Sequence, residues 1–284
     1  RLTPGVEAHT HESISTAHED VKFGFSIASG AAAVAVAEVL SHTSLELRGF
    51  HCHVGSQIFG TDSFELAATR IIALMAECKS KHGIELPELD LGGGYAIAYV
   101  PGDVTVEPED VLPVLSAVVK RECAAAGLAL PIISIEPGRN IVGPTTFTLY
   151  EVGTVKDVLL EDGRTRRYIS VDGGMSDNIR PSLYGAEYSA VLADRTSTSA
   201  HVLSRLVGKH CETGDIVIRD IELPSDIAPG DLLATPATGA YGRSMASNYN
   251  HVPRPPVVAI KNGKARVIVR RENEADLLAL DVKE

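Results

Sequence analysis

The sequence predicts an α/β chain in two parts: parallel strands alternating with helices over residues 1–142, then a β-rich domain over residues 143–284. Two observations predict it. The first part alternates short apolar runs with amphipathic helical stretches, an order that implies parallel strands joined by right-handed crossovers. After about residue 142 the helical period gives way to short β-branched runs and turn residues. A third observation fixes the architecture of the first part. Successive strands end in charged, histidine-bearing or glycine-rich segments, which is how a (β/α)8 barrel builds its site at the carboxyl ends of its strands. Four such strands are present, so the first part reads as half a barrel.

Taken in order, Leu2–Val6 reads as the end of a strand, and Ser29-Gly30 opens an Ala-rich helix running to Leu40. His9, His11, Glu12 and His18 show no period that would aim them at one metal ion, and read as a polar loop. Leu45 to His53 is the next strand, and its alternation puts His51 and His53 on one face with Cys52 on the other. Val54-Gly55-Ser56-Gln57 ends it, and a strand-terminal histidine beside a hydroxyl is as open to an anion-site reading as to a structural one. Asp62 to Lys81 is amphipathic through Phe64, Ala67, Ala68, Ile71, Ile72, Leu74 and Met75, with Gly83 as its stop. Leu89-Asp90-Leu91 then runs into Gly92-Gly93-Gly94, three glycines whose amides can approach a phosphate. Glu109 to Ala126, stopped by Gly127, is the last long helix. It delivers the chain to Ile132-Ile133-Ser134-Ile135-Glu136-Pro137-Gly138-Arg139, expected to be a strand buried on both faces that ends in a carboxylate and a guanidinium.

In the second part, Phe147 to Lys156, Tyr168 to Asp172, Asp215 to Arg219 and Asp231 to Ala234 read as strands. Val257 to Val269 reads as a hairpin with an Asn262-Gly263 turn. Three loops carry more chemistry than plain turns need: Asp172 to Tyr184, Gly208 to Glu212, and Gly239 to Asn250.

Composition narrows the partners. The 284 residues are 44% hydrophobic with no apolar run near the roughly 18 residues that span a bilayer, so a globular cytoplasmic protein with no membrane partner is expected. A net charge of −11 opposes nucleic acid, whose phosphates require a basic stripe, and favours a small-molecule partner. The four cysteines, Cys52, Cys78, Cys123 and Cys211, are scattered without the spacing of a disulfide framework or zinc site. No metal is expected.

Six motifs in order, His53-Val54-Gly55-Ser56-Gln57, Gly92-Gly93-Gly94, Glu136-Pro137-Gly138-Arg139, Arg180 to Tyr184, Cys211-Glu212 and Gly239-Ala240-Tyr241, make the sequence resemble the diaminopimelate decarboxylase family. These are pyridoxal 5'-phosphate (PLP) enzymes of the alanine-racemase-like barrel group. The resemblance implies decarboxylation of meso-2,6-diaminopimelate to L-lysine. It implies that His53 stacks on the cofactor ring, that Glu136 pairs with the pyridine nitrogen, and that Ser56, Gly94 and the backbone from Glu136 through Gly138 to Arg139 hold the phosphate. It further implies that Arg139, Arg180 and Tyr184 grip the substrate's distal carboxylate, that Glu212 takes the distal ammonium, and that Tyr241 reaches toward phosphate and substrate. Cys211 would return the proton to the α-carbon, donated across a two-fold homodimer with shared active sites.

The family's cofactor-anchoring lysine ends the first barrel strand, upstream of every motif found here. Lys22, Lys79, Lys81 and Lys120 offer no substitute, so the resemblance implies the C-terminal portion of such an enzyme, inactive alone. Two alternatives are a decarboxylase of the same fold acting on ornithine or arginine, and an inactive PLP-fold binding protein. The first lacks a use for Arg180 with Tyr184, the second a use for Cys211 with Glu212.

Overall fold

The structure, a computed structural model, describes residues 1–6 and 22–282. His9, His11, Glu12 and His18 lie outside the described residues. The chain divides into two compact units, residues 1–98 with 102–143, and residues 99–101 with 144–284.

The first unit opens with β1 (Leu2–Thr3) and β2 (Phe25–Ser26), a parallel pair. Strand β2 carries no signal in the sequence, since two residues, Phe25 and Ser26 after Gly24, are too few to show a period. Helix α1 (Ala31–Ser41) follows, then β3 (Gly49–His51), α2 (Asp62–His82), β4 (Glu88–Asp90), α3 (Pro108–Ala126) and β5 (Ile132–Ser134). The ends of α2 follow from simple electrostatics. Asp62 and Glu65 occupy its first turn, Lys79, Lys81 and His82 its last, and Gly83 closes it at φ 70°, a conformation glycine adopts without penalty. All seven apolar positions read from the helical period of α2 are buried.

Strands β3, β4 and β5 form a parallel sheet in that order, with His51 opposite Asp90 and Asp90 opposite Ser134. One face carries Phe50, Cys52, Leu89 and Leu91, which join Phe64, Ile71, Ile72, Leu115 and Val119 of α2 and α3 in a single core. Each such side chain contributes about 1.5–3 kcal/mol on burial. The opposite face carries His51, His53, Asp90, Ser134 and Glu136, half-buried or exposed. The expectation of a strand buried on both faces is therefore wrong for β5. Ile132 is 66% exposed, because it shares the open face with Ser134 and Glu136 while only the opposite side, carrying Ile133 and Ile135, packs on the core.

Just past the three glycines, Tyr95 stacks on Phe64 with centroids 4.8 Å apart, and its buried hydroxyl has no hydrogen-bond partner among the described residues. Leaving a buried donor unpaired costs about 1–3 kcal/mol. Tyr95→Phe is therefore expected to be neutral or to stabilise by about 1 kcal/mol, read as a raised urea midpoint at constant slope. A drop in midpoint would show that the hydroxyl is satisfied.

In the second unit, the one-turn helix α4 (Gly138–Val142) having closed the first, the strands are β6 (Thr148–Leu159), β7 (Thr165–Val171), β8 (Val191–Leu192), β9 (His201–Val207), β10 (Ile216–Pro224) and β11 (Leu232–Thr235). They form one sheet in the order β10-β9-β7-β6-β11-β8, antiparallel except for the β7–β9 pair. The sequence reading passed over β9, where Ser204 and Arg205 interrupt the apolar alternation; Ser204 is nonetheless fully buried. One-turn helices α5 (Arg180–Tyr184) and α6 (Gly242–Met245) sit in two of the chemistry-bearing loops. Strands β12 (Val257–Lys261) and β13 (Lys264–Val269) form the hairpin, with Asn262 and Gly263 both at positive φ as a type I′ turn requires.

Candidate active site

In the first unit the sequence-predicted residues gather at the carboxyl ends of β3, β4 and β5. The three glycines are where the backbones meet. A Cβ on Gly92 would stand 2.2 Å from the Cys52 carbonyl oxygen, one on Gly93 2.1 Å from that of Glu136, and one on Gly94 2.0 Å from that of Gly55. Glycine is thus required for packing before any ligand is considered. The first two amides are already engaged, Gly92 N–H with Asp90 Oδ1 at 2.8 Å and Gly93 N–H with His53 Nδ1 at 3.2 Å. This differs from three amides exposed to a phosphate, and the reason is that Asp90 and His53 lie on the same sheet face.

The Gly93 contact defines the ring of His53. A nitrogen that accepts carries no proton, so the neutral ring holds its proton on Nε2. Burial, reinforced by the positive charge of Arg1, lowers the His53 pKa from its ordinary value and favours that neutral form. Its neighbour Cys52 faces the core, where burial pushes the thiol up to about 12 and makes it inert.

Arg139 is buried, and its Nη2 donates to Ser56 Oγ at 2.8 Å, joining two predicted site residues 83 positions apart. The Ser56 turn is held by Gln57, whose side-chain amide donates to Ile97 C=O at 2.5 Å and accepts from Ile97 N–H at 3.3 Å. Gln57 itself sits at φ 62°, a strained position for a non-glycine residue. Glu136 is half-exposed, with Oε2 3.4 Å from His51 Nε2, and Asp90 completes a cluster whose ligand atoms lie within 4.8 Å of one another.

The second unit brings its three chemistry-bearing loops together. Cys211 is the exposed member of the four cysteines, and its thiol donates to Glu212 Oε1 at 3.5 Å. The same oxygen accepts a very short hydrogen bond from the Tyr249 hydroxyl, which lowers the Glu212 pKa. Ser176 Oγ lies 2.9 Å from His210 Nε2, and Ser247 N–H donates to the Ser176 carbonyl at 2.8 Å. Tyr241, 46% exposed, has a left-handed backbone at φ 64°. Gly138 is exposed, and Gly94 and Tyr184 are half-buried.

Arg180 is 5% exposed and has no carboxylate partner among the described residues. Its Nη1 donates to Tyr188 Oη at 2.5 Å, and its guanidinium carbon lies 4.8 Å above the Tyr99 ring and 5.6 Å from that of Tyr188. The two rings meet edge-on at 5.1 Å. Neither tyrosine carries a signal in the sequence, because aromatics 81 and 8 residues from Arg180 belong to no shared motif. Tyr249 and Asp215 were likewise legible only as members of a loop and a strand.

A buried guanidinium on a hydroxyl, a half-buried neutral imidazole and a half-exposed carboxylate at adjacent strand ends suit a phosphorylated pyridine: its dianion, its ring and its basic nitrogen respectively. The described lysines of this unit are Lys22, over the Phe23 ring, and Lys79, Lys81 and Lys120 on α2 and α3; none is on the sheet.

Comparisons with known proteins show what the chain is similar to. The family model for the pyridoxal-binding domain of pyridoxal-dependent decarboxylases matches residues 1–143, and the model for their C-terminal sheet domain matches residues 141–239. Diaminopimelate decarboxylase of Mycobacterium tuberculosis is 54% identical over 287 aligned residues, covering 100% of this chain and 64% of its own length. The Corynebacterium efficiens enzyme is 52% identical, covering 99% and 61%. Among solved structures, diaminopimelate decarboxylase from M. jannaschii in complex with L-lysine superposes with a TM-score of 0.88 at 30% identity, covering 100% of this chain and 63% of its own. That from Helicobacter pylori with L-lysine gives 0.85 at 31%, covering 99% and 66%. The chain thus spans less than two thirds of the length of these relatives. Matched by the cofactor-binding model across its first half and by the sheet-domain model across most of its second, this chain belongs to the pyridoxal-dependent decarboxylase family.

Proposed function

We propose that the protein of which this chain is part decarboxylates meso-2,6-diaminopimelate to L-lysine with PLP. The observation that carries the substrate is Arg180. A guanidinium buried with no counter-charge among the described residues, preoriented between two tyrosines, is suited to the distal carboxylate of a dicarboxylic amino acid, which ornithine and arginine lack. The relatives named diaminopimelate decarboxylase, and the structures holding L-lysine, support the same assignment.

When bound, PLP supplies the electron sink for the carbanion left as carbon dioxide departs. Glu136 keeps a proton on the pyridine nitrogen, which strengthens that sink. His53, its imidazole held by Gly93 N–H, would stack on the cofactor ring. The Arg139 donation to Ser56 Oγ supports placing both at the phosphate, with the backbone of Gly94 and Gly138. Tyr184 assists Arg180 at the carboxylate, Tyr241 reaches toward phosphate and substrate, and Glu212 exchanges the Tyr249 hydroxyl for the distal ammonium. Cys211 delivers a proton to the α-carbon. In this reading the thiol is supplied by the second subunit of a two-fold dimer, as the resemblance implies, and the enzyme is cytoplasmic, as composition leads one to expect.

The test is carbon dioxide release and lysine formation by the full-length protein with PLP. Release from meso-diaminopimelate that stops when PLP is removed is the expected result. Turnover of ornithine or arginine in its place would overturn the assignment.

A further inference from the structure

Asp215 stands just before β10, and its side chain is 3% exposed. Its Oδ1 accepts the backbone N–H of Met175 at 2.7 Å and its Oδ2 that of His210 at 2.8 Å. One carboxylate therefore joins the loop at Met175, 40 residues upstream of it, to the loop at His210, 5 residues upstream. Its own backbone closes the Cys211 loop, with Gly208 N–H donating to Asp215 C=O at 2.9 Å and Asp215 N–H to Glu212 C=O at 3.0 Å. Among the described residues no lysine or arginine pairs with this buried charge, so backbone donors alone satisfy it.

The fit leaves no slack. A Cβ on Gly208 would lie 2.1 Å from Oδ2, and one on Gly174 2.6 Å from Oδ1. Burying a carboxylate is costly, and charge-assisted bonds to fixed N–H groups offset that cost only while both loops stay in register. The same two loops are also pinned by the Ser176–His210 contact and by Lys209 N–H to Gly173 C=O at 3.0 Å.

We propose that Asp215 is a positioning residue: its carboxylate clamps the loop at residues 173–175 to the loop at residues 208–212, and so sets where the Cys211 thiol and the Glu212 carboxylate stand. The inference rests on the reading of Cys211 as the proton donor and names what holds that donor in place. Loosening the clamp separates the thiol from Glu212 Oε1 and leaves an exposed, unpaired sulfur.

The test is the rate of Cys211 alkylation by iodoacetamide on the whole chain, followed by mass spectrometry; Cys52, Cys78 and Cys123 are buried and serve as internal references. Asp215→Asn keeps the shape but turns an amide donor toward an N–H donor, and Gly208→Ala pushes the carboxylate from the other side. Both are expected to alkylate Cys211 about tenfold faster than the wild type. Leu233→Ala, which loosens the sheet core at β11, outside both loops, is expected to keep the wild-type rate. A wild-type rate in Asp215→Asn, or equal acceleration in Leu233→Ala, overturns the inference. Amide hydrogen exchange of the wild type decides the matter even where a variant does not fold. Met175 and His210 N–H are expected to be protected together, and rapid exchange of either contradicts the clamp. Failure of the proton-donor reading shows separately, as an unchanged kcat in Cys211→Ser of the full-length enzyme.

Discussion

Arg180→Ala in the full-length enzyme is expected to raise the KM for meso-diaminopimelate about a hundredfold, the loss of a charge-assisted pair of about 3 kcal/mol, while leaving any residual ornithine turnover unchanged. The size of the effect follows from the burial. The guanidinium has already lost its water, and its neighbours are the Tyr188 hydroxyl and the faces of Tyr99 and Tyr188 rather than a carboxylate. Cation–π contacts of this kind recover about 0.5–2 kcal/mol, so much of the desolvation cost is repaid only when an anion arrives. Arg180→Lys is expected to rescue little, since an ammonium neither fits between the rings nor binds a carboxylate with two parallel bonds. Equal losses toward diaminopimelate and ornithine would show that Arg180 holds the fold and not the substrate.

Tyr150→Phe is expected to destabilise the chain by about 2–3 kcal/mol at neutral pH, read as a lowered urea midpoint. Tyr150 is buried on β6, and its hydroxyl donates to Asp177 Oδ2 at 2.6 Å, while Gly174 N–H donates to Oδ1 at 2.7 Å. Removing the phenol leaves a desolvated carboxylate with one donor fewer. The pH dependence gives the sign. Burial raises the Asp177 pKa above its ordinary 3.8 despite the hydrogen bond from Tyr150. The folded state therefore binds the proton more tightly than the unfolded chain. Stability from this group is fully present below the unfolded value and is lost as pH rises through the folded one. Without Tyr150 the folded value rises further, so the deficit of Tyr150→Phe is expected to shrink as pH falls toward 4. A deficit independent of pH would place the cost in packing alone.

What the sequence made legible divides along physical lines. The long helices were readable because a repeating period needs no knowledge of partners, and α2 shows this with every predicted apolar position buried and Gly83 at its end. The Asn262-Gly263 turn was readable because only certain residues tolerate its dihedral angles. Strand β5 was misjudged because burial of a strand depends on what lies beside it, and Ile132 has no cover on one face. The same division holds in the site. Ser56 and Arg139 stood out as motif members, yet their contact at 2.8 Å joins positions that no local pattern links. The clamp at Asp215 and the tyrosines around Arg180 escaped notice because each exists only once separate loops have met.

In the proposed enzyme the strand-end residues around Glu136 and the thiol at Cys211 serve one reaction and come from two different subunits. Mixing inactive Glu136→Ala and Cys211→Ala forms of the full-length protein, under conditions that exchange subunits, tests it most directly. Recovery of up to about a quarter of wild-type activity is expected, from hybrid dimers that rebuild one intact site. No recovery, with hybrid dimers shown to be present, would contradict it.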